Sequence, residues 1–199
     1  ERVLMMTELS STPLLEKLKY LCIVSNNLDE LFEIRVAGLK ASLMEKSLTQ
    51  KTPDGLSTQE TLDAVTKRIQ ILVKKQYRVL NLSILSSLAD KKIFIHTSNT
   101  FNSEIMMWAK DFFQSDIFPI LTPIGLDPAH PFPRVLNKSL NFIVNMNGKD
   151  SFGREGRIAI LQAPKSLPRI IQVPDHITSA KNEFILLSVF VDVFADLIF

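Results

Sequence analysis

Two consecutive amides and an acidic pair, Asn26-Asn27 and Asp29-Glu30, follow directly on the apolar run Tyr20 to Val24. The stretch Ser25-Asn26-Asn27 reads as the mouth of a new helix, where an Asn side-chain oxygen accepts a hydrogen bond from a first-turn N–H. One cap uses one amide, and the second is left over. A spare amide offers two donors and an acceptor in a plane, which suits a hydrogen-bonding ligand such as a purine edge. The plainer expectation is that both amides simply tie the turn together, capping being the common work of Asn at such places. Asp29 and Glu30 then fall in the first turn, where the helix dipole favours negative charge.

Other chemistry-bearing types are sparse. The chain has no GxxxxGK[ST] and no GxGxxG, so no Gly-rich phosphate cradle is written into it. His96, His130 and His176 lie far apart, without metal-ligand spacing to Cys or acidic neighbours, and each reads as a surface or loop histidine. Ser, His and Asp residues occur, but no nucleophile elbow does. Neither a catalytic set nor a metal set is predicted within this stretch. The one cysteine, Cys22, falls inside an apolar run and reads as a buried structural thiol in a reducing compartment. Lys67, Arg68, Lys74, Lys75 and Arg78 lie mostly off the apolar seam of their helix. They read as a solvated face, with a polyanion contact as the alternative.

The elements that must position these residues change character along the chain. Thr12-Pro13 predicts a helix start, with Thr as N-cap and Pro at the first helical position, followed by Leu14, Leu15, Leu18, Leu21 and Cys22 at helical spacing. The helix opening at Ser25-Asn26 would carry Leu28, Phe32, Val36, Leu39 and Leu43 inward. A loop follows over Thr49 to Leu56, with Pro53-Asp54-Gly55. Ser57-Thr58-Gln59-Glu60 is a capping box. The helix it begins shows Leu62, Val65, Ile69, Leu72, Gln76 and Val79, a seam spaced 3, 4, 3, 4, 3, as in an antiparallel bundle. Helical pattern continues to about Ala89.

Beyond Lys91-Lys92 the pattern becomes mixed. Ile93 to His96 is a short β-like run, and Asn102 caps a helix with Ile105, Trp108, Ala109, Phe112 and Phe113 on its inner face. That aromatic stripe reads as core, because few Lys or Arg interleave it. Five prolines between Pro119 and Pro133 predict irregular backbone. Leu140, Phe142, Val144 and Met146 alternate as a half-buried strand, Asn147-Gly148 opens a turn, and Ile158 to Leu161 is the returning strand. A third strand lies between Pro168 and Pro174, and an apolar helix runs from about Glu183. The expected class is α+β, a helical bundle over residues 1–91 followed by a partial α+β domain over 92–199.

Bulk properties bound the function. At 199 residues, with 46% apolar and 22% charged residues, the chain can bury a core in one or two domains. The net charge of +2 is too small to imply a nucleic-acid binder. Residues 1–100 hold 14 Lys and Arg against 11 Asp and Glu, so any anion-attracting surface belongs to the first half. No uncharged run reaches membrane-spanning length. The helical pattern already running at Glu1 and still running at Phe199 reads as a piece of a longer protein.

Two segments go beyond generic pattern. The first runs from Pro13 to Leu21 into Ser25-Asn26-Asn27-Leu28-Asp29-Glu30-Leu31-Phe32 and Arg35-Val36-Ala37-Gly38-Leu39. The second is Pro119-Ile120-Leu121-Thr122-Pro123-Ile124-Gly125-Leu126-Asp127-Pro128-Ala129-His130-Pro131-Phe132-Pro133 with Asn137 to Asn141. Together, and in this order, they resemble the opening and the head-domain signature of the long, ATP-dependent bacterial polyphosphate kinases. That resemblance implies a helical N-terminal domain, a head domain and two phospholipase-D-like domains beyond. It implies reversible transfer of the terminal phosphate of ATP to polyphosphate through a phosphohistidine, assisted by Mg²⁺. It places the ATP contact on Asn27 and the phosphohistidine outside this stretch, so none of the three histidines here takes that role. The first half would cover the ATP base and the head domain would support a dimer, in a cytoplasmic enzyme compatible with membrane association and without nucleic acid as partner. Leu31, Glu33 and Arg134 depart from many relatives. The competing expectation is a helical interaction module whose basic face, Lys67 to Arg78, binds an acidic partner or nucleic acid with steep salt dependence.

Overall fold

A computed structural model describes residues 1–44, 55–126, 131–149, 155–178 and 182–198. Residues 49–54 of the loop expected over Thr49 to Leu56, and His130, lie outside the described residues. The chain divides into two compact units, Glu1–Lys91 and Lys92–Phe199.

The first unit is helical. A short α1 (Arg2–Met5) precedes α2 (Leu14–Glu30), a six-residue π-helical segment (Leu31–Val36) and α3 (Ala37–Met44), the last three joined without a break. Pro13, with φ −60° and ψ 149°, is itself the N-cap of α2, one residue later than the expected Thr12 cap. No helix begins at Ser25-Asn26. Asn26 and Asn27 sit inside α2, and Asp29 and Glu30 close it rather than open a new one. Local preference for a cap is overridden here by packing: Leu21 and Val24 are buried on the same helix, and Ser25 is held from outside. The π segment inserts a residue into the α register and turns later side chains by roughly 100°. That break in phase is what a helix junction looks like in sequence.

Gly55, at φ +84°, turns the chain into the second rod. The capping box forms as expected: the Ser57 N–H donates to Glu60 Oε2 at 2.8 Å, and the Glu60 N–H donates to Ser57 Oγ at 3.3 Å. The Ser57 backbone N–H, and then its hydroxyl, hold the Glu60 carboxyl below its ordinary pKa. Then come α4 (Thr58–Val79), a π segment (Leu80–Ile84) and α5 (Leu85–Asp90). Lys92, at φ 61°, takes the left-handed turn that usually follows a helix end. The core of this unit is thin: Leu4, Leu21, Val24, Val36, Ile84 and Leu88 are buried, along with Thr7, Thr12 and Gln76. Phe32, expected inward, is 49% exposed, and Cys22, expected buried, is exposed.

The second unit holds two three-stranded sheets. In one, β1 (Ile93–His96) pairs in parallel with β6 (Asn182–Leu186), which pairs antiparallel with β5 (Ile170–Gln172). In the other, β2 (Thr122–Gly125) and β3 (Leu140–Lys149) flank β4 (Glu155–Ala163), both antiparallel, with Phe142 opposite Leu161. Three expectations are corrected. The proline-rich stretch does contain a strand, because β2 is an edge strand where Pro123 need not donate to the ladder on its free side. Asn147-Gly148 does not open a turn; β3 continues to Lys149 across a register shift after Met146. The run at Glu183 is also strand before it is helix, with α7 (Leu187–Val193) starting only after Leu186. A short apolar run does not declare helix or strand by periodicity, and pairing with the distant β1 decides it.

As expected, the Asn102 side-chain oxygen accepts from the Ile105 N–H at 2.8 Å and caps α6 (Ser103–Phe112). Its aromatic face is core: Phe113 is fully buried, and Trp108 stacks on Phe112 at 5.4 Å with Phe190 edge-on to the Trp108 ring. Among the described residues no helix is long and apolar enough to cross a membrane.

Candidate functional site

Asn27 stands in the last turns of α2 with its side chain in solvent. Its backbone carbonyl serves the helix by accepting from the Leu31 N–H at the α-to-π junction. Among the described residues the side-chain amides of Asn26 and Asn27 have no hydrogen-bond partner, so the capping expectation fails for both. An Asn inside a helix costs up to roughly 0.7 kcal/mol relative to Ala, and here nothing internal offsets it. On the same face, Ile23 stands one turn before Asn27 and Leu31 one turn after, the first 37% exposed and the second half-buried. A planar amide between two aliphatic side chains offers one hydrogen-bonding edge with apolar flanks, as recognition of a flat heterocycle requires. The π segment begins directly beyond it, at Leu31.

Behind this face the helix is locked to α4 by Gln76. The Gln76 Nε2 donates to Ser25 Oγ at 2.7 Å and to the Leu21 carbonyl at 3.2 Å. The sequence seam included Gln76 as though it were another apolar contact, whereas it is the one polar member and the most buried. Its partners lie two residues and six residues before Asn27, so this bond places the amide along the unit.

The basic residues of α4 divide into two sets. Arg68 forms an ion pair with Glu1, and Lys75 pairs with Glu8 at 2.8 Å. The Glu1 pairing lowers that carboxyl's pKa through its hydrogen bond from Arg68. A hollow of about 250 Å³ lies between α1 and α4, and its cations, Arg68 and Lys75, are both paired. A larger groove of about 740 Å³ is lined by Lys17 of α2 with Lys74, Lys75 and Arg78 of α4, above Val79 and Leu82. Among the described residues Lys17, Lys74 and Arg78 have no carboxylate partner. Lys17 was not singled out from sequence. Its half-burial beside the groove is a tertiary property, and the only sequence signal was its charge.

His96 is not a surface histidine. Its Nε2 lies 2.8 Å from Glu183 Oε2, its Nδ1 lies 3.0 Å from Thr100 Oγ1, and both the His96 and Glu183 side chains are about nine-tenths buried. The pair ties the parallel strands β1 and β6 together. His176 is exposed in a turn, as expected of a surface or loop histidine. Among the described residues no three His, Cys, Asp or Glu side chains converge to hold a metal ion.

Comparison with known proteins places this geometry. Residues 1–96 match the family model of the polyphosphate kinase N-terminal domain, and residues 104–199 match that of the polyphosphate kinase middle domain. Polyphosphate kinases of Burkholderia lata and Burkholderia ambifaria are each 46% identical to this chain over all 199 residues. That of Paraburkholderia phytofirmans is 46% identical over 188 residues. The chain spans 29% of the length of the two Burkholderia relatives. The crystal structure of polyphosphate kinase from Porphyromonas gingivalis shares the fold with a TM-score of 0.83 at 24% identity, covering 100% of this chain and 28% of that one. Two family models that between them take in nearly every residue, and relatives at 46% identity end to end, establish that the chain belongs to the polyphosphate kinase family.

Proposed function

We propose that this chain is the N-terminal and head portion of an enzyme that reversibly transfers the terminal phosphate of ATP to a polyphosphate chain, and that Asn27 contacts the ATP base. The observation that carries the assignment of Asn27 is an exposed amide, without a partner among the described residues, held in mid-helix between Ile23 and Leu31. In the proposed reaction a histidine outside this chain attacks the γ-phosphorus and ADP leaves. The terminal oxygen of polyphosphate then attacks the phosphohistidine, and the imidazole is released. His96 is committed to Glu183 and Thr100 and is not that nucleophile. Mg²⁺ is proposed to assist the transfer, held mainly by residues outside this chain, and no step here depends on it. The second unit is proposed to support a dimer. The exposed Ile143 on β3, an edge strand, suits a surface covered by a second copy. A cytoplasmic location completes the reading.

The test is Asn27→Ala in the full-length parent. Loss of one hydrogen bond of about 1–2 kcal/mol should lower kcat/KM for ATP by about 5- to 30-fold, with no loss of thermal stability, since the side chain holds nothing internal. Unchanged kinetics for ATP would remove Asn27 from the site. The stretch Glu1–Phe199 alone should make no polyphosphate and take no acid-labile phosphate from ATP, because the nucleophile is absent from it.

A further inference from the structure

We infer that the groove between α2 and α4 is a binding site for the polyphosphate chain itself, separate from the Asn27 surface. The inference rests on the proposed function for its choice of phosphate polymer, but the site is argued from its own geometry. Four cations from two helices, Lys17, Lys74, Lys75 and Arg78, converge on one groove against a single carboxylate, Glu8. Glu8 is already spent on Lys75, whose ammonium it holds at 2.8 Å. The other three cations carry no partner among the described residues, although on the same helix Arg68 and Lys75 each have one. Where α4 only needs fastening to the N-terminal segment, its charges are neutralised internally; along this groove they are left open.

The lining also says which anion. No aromatic side chain lines the groove among the described residues, so a nucleobase would find nothing to stack on. The charges succeed one another along the rod: Lys74 and Arg78 are one helical turn apart, about 6 Å by helix rise, with Lys17 facing them from α2. A linear polymer of phosphates with no base or side chain presents one charge after another to such a row. Asn27 lies ten residues beyond Lys17 on the same helix, about 15 Å further along. The amide and the groove are therefore distinct places on one rod.

The test uses the full-length parent with labelled polyphosphate as probe, binding being followed as a function of salt. In the triple variant Lys17→Gln/Lys74→Gln/Arg78→Gln, affinity at low salt should fall about tenfold, the summed effect of three modest exposed contacts. The dependence of log affinity on log salt should become shallower, while KM for ATP stays as in wild type. The charge-conserving Lys17→Arg/Lys74→Arg variant should keep wild-type affinity, and Lys67→Gln, on the same helix but outside the groove, should leave binding untouched. Circular dichroism of the triple variant guards against misfolding as the cause, and the single variants Lys74→Gln and Arg78→Gln, each expected to weaken binding and flatten the salt slope in part, repeat the test if the triple variant is unfolded. A triple variant that binds polyphosphate with the affinity and salt slope of Lys67→Gln would overturn the proposal. So would a single-stranded oligonucleotide that binds the groove more tightly than polyphosphate. A parent that binds polyphosphate through these residues yet makes none from ATP would sink the transfer reading and leave the groove standing. A parent that makes polyphosphate with the triple variant unimpaired in binding would sink the groove alone.

Discussion

The two units of this chain solve the same problem with opposite means. The second unit buries a continuous apolar core, in which Phe113, Phe190, Ile185 and Leu161 are shut off from solvent and α6, α7, β4, β5 and β6 all contribute. The first unit has rods in place of layers, a thin line of buried aliphatic residues, and polar ties where a larger domain would use bulk. A helix pair joined along a seam leaves most of its circumference outside. This is why the helical unit carries both candidate ligand surfaces, while the α+β unit reads as scaffold. Exposure that would be a liability in a layered fold is what makes the rods usable.

The contrast can be broken most forcefully at Phe190. Truncating it to Ala removes a ring packed against Trp108, Phe112 and Phe194. Urea unfolding should show a loss of about 3–5 kcal/mol. A loss below 1 kcal/mol would mean that the second unit is held together otherwise. In the first unit the largest single effect is expected from a polar residue. Gln76→Ala leaves the Ser25 hydroxyl and the Leu21 carbonyl without their donor, and should cost about 1–3 kcal/mol. If Gln76→Leu restored stability fully, the seam would be an ordinary apolar one after all. The smallest effect is at the head of α4. Ser57→Ala removes the cap and should slightly lower the melting temperature near neutral pH. Because Glu60 is held below its ordinary pKa of 4.5 in the folded chain, its part of the capping box is fully present above that value. It is lost as the pH falls through the folded value, so wild type and Ser57→Ala should converge in strong acid. Curves that stay parallel down to pH 2 would show that the carboxylate adds nothing.

What was legible in sequence was local. The capping box at Ser57, the Asn102 cap, the alternation from Leu140 to Met146 and the aromatic face of α6 each depend on residues within a few positions of one another, and each forms. What sequence hid depends on partners far along the chain. Glu183 reads as the start of a helix until β1, nearly ninety residues earlier, takes it as a parallel neighbour and gives its carboxylate to His96. Cys22 belongs to an apolar run, but the helix turns that position to solvent. The candidate site was half legible. Asn27 was picked out because two adjacent amides exceed what one cap needs, although the premise of a helix start was mistaken and the amide is free for a different reason. Lys17 went unnoticed, since only the pairing of α2 with α4 brings it beside Lys74 and Arg78.

The bond from Gln76 has a consequence beyond its strength. Sliding α4 along α2 by one turn would shift the amide by about 5.4 Å, and at that offset neither the Ser25 hydroxyl nor the Leu21 carbonyl would be within reach. The two rods therefore have one permitted axial alignment. That alignment sets the spacing between Asn27 and the row of cations at Lys74 and Arg78, so a single buried amide acts as the zero mark of a ruler on which both proposed ligand surfaces are measured.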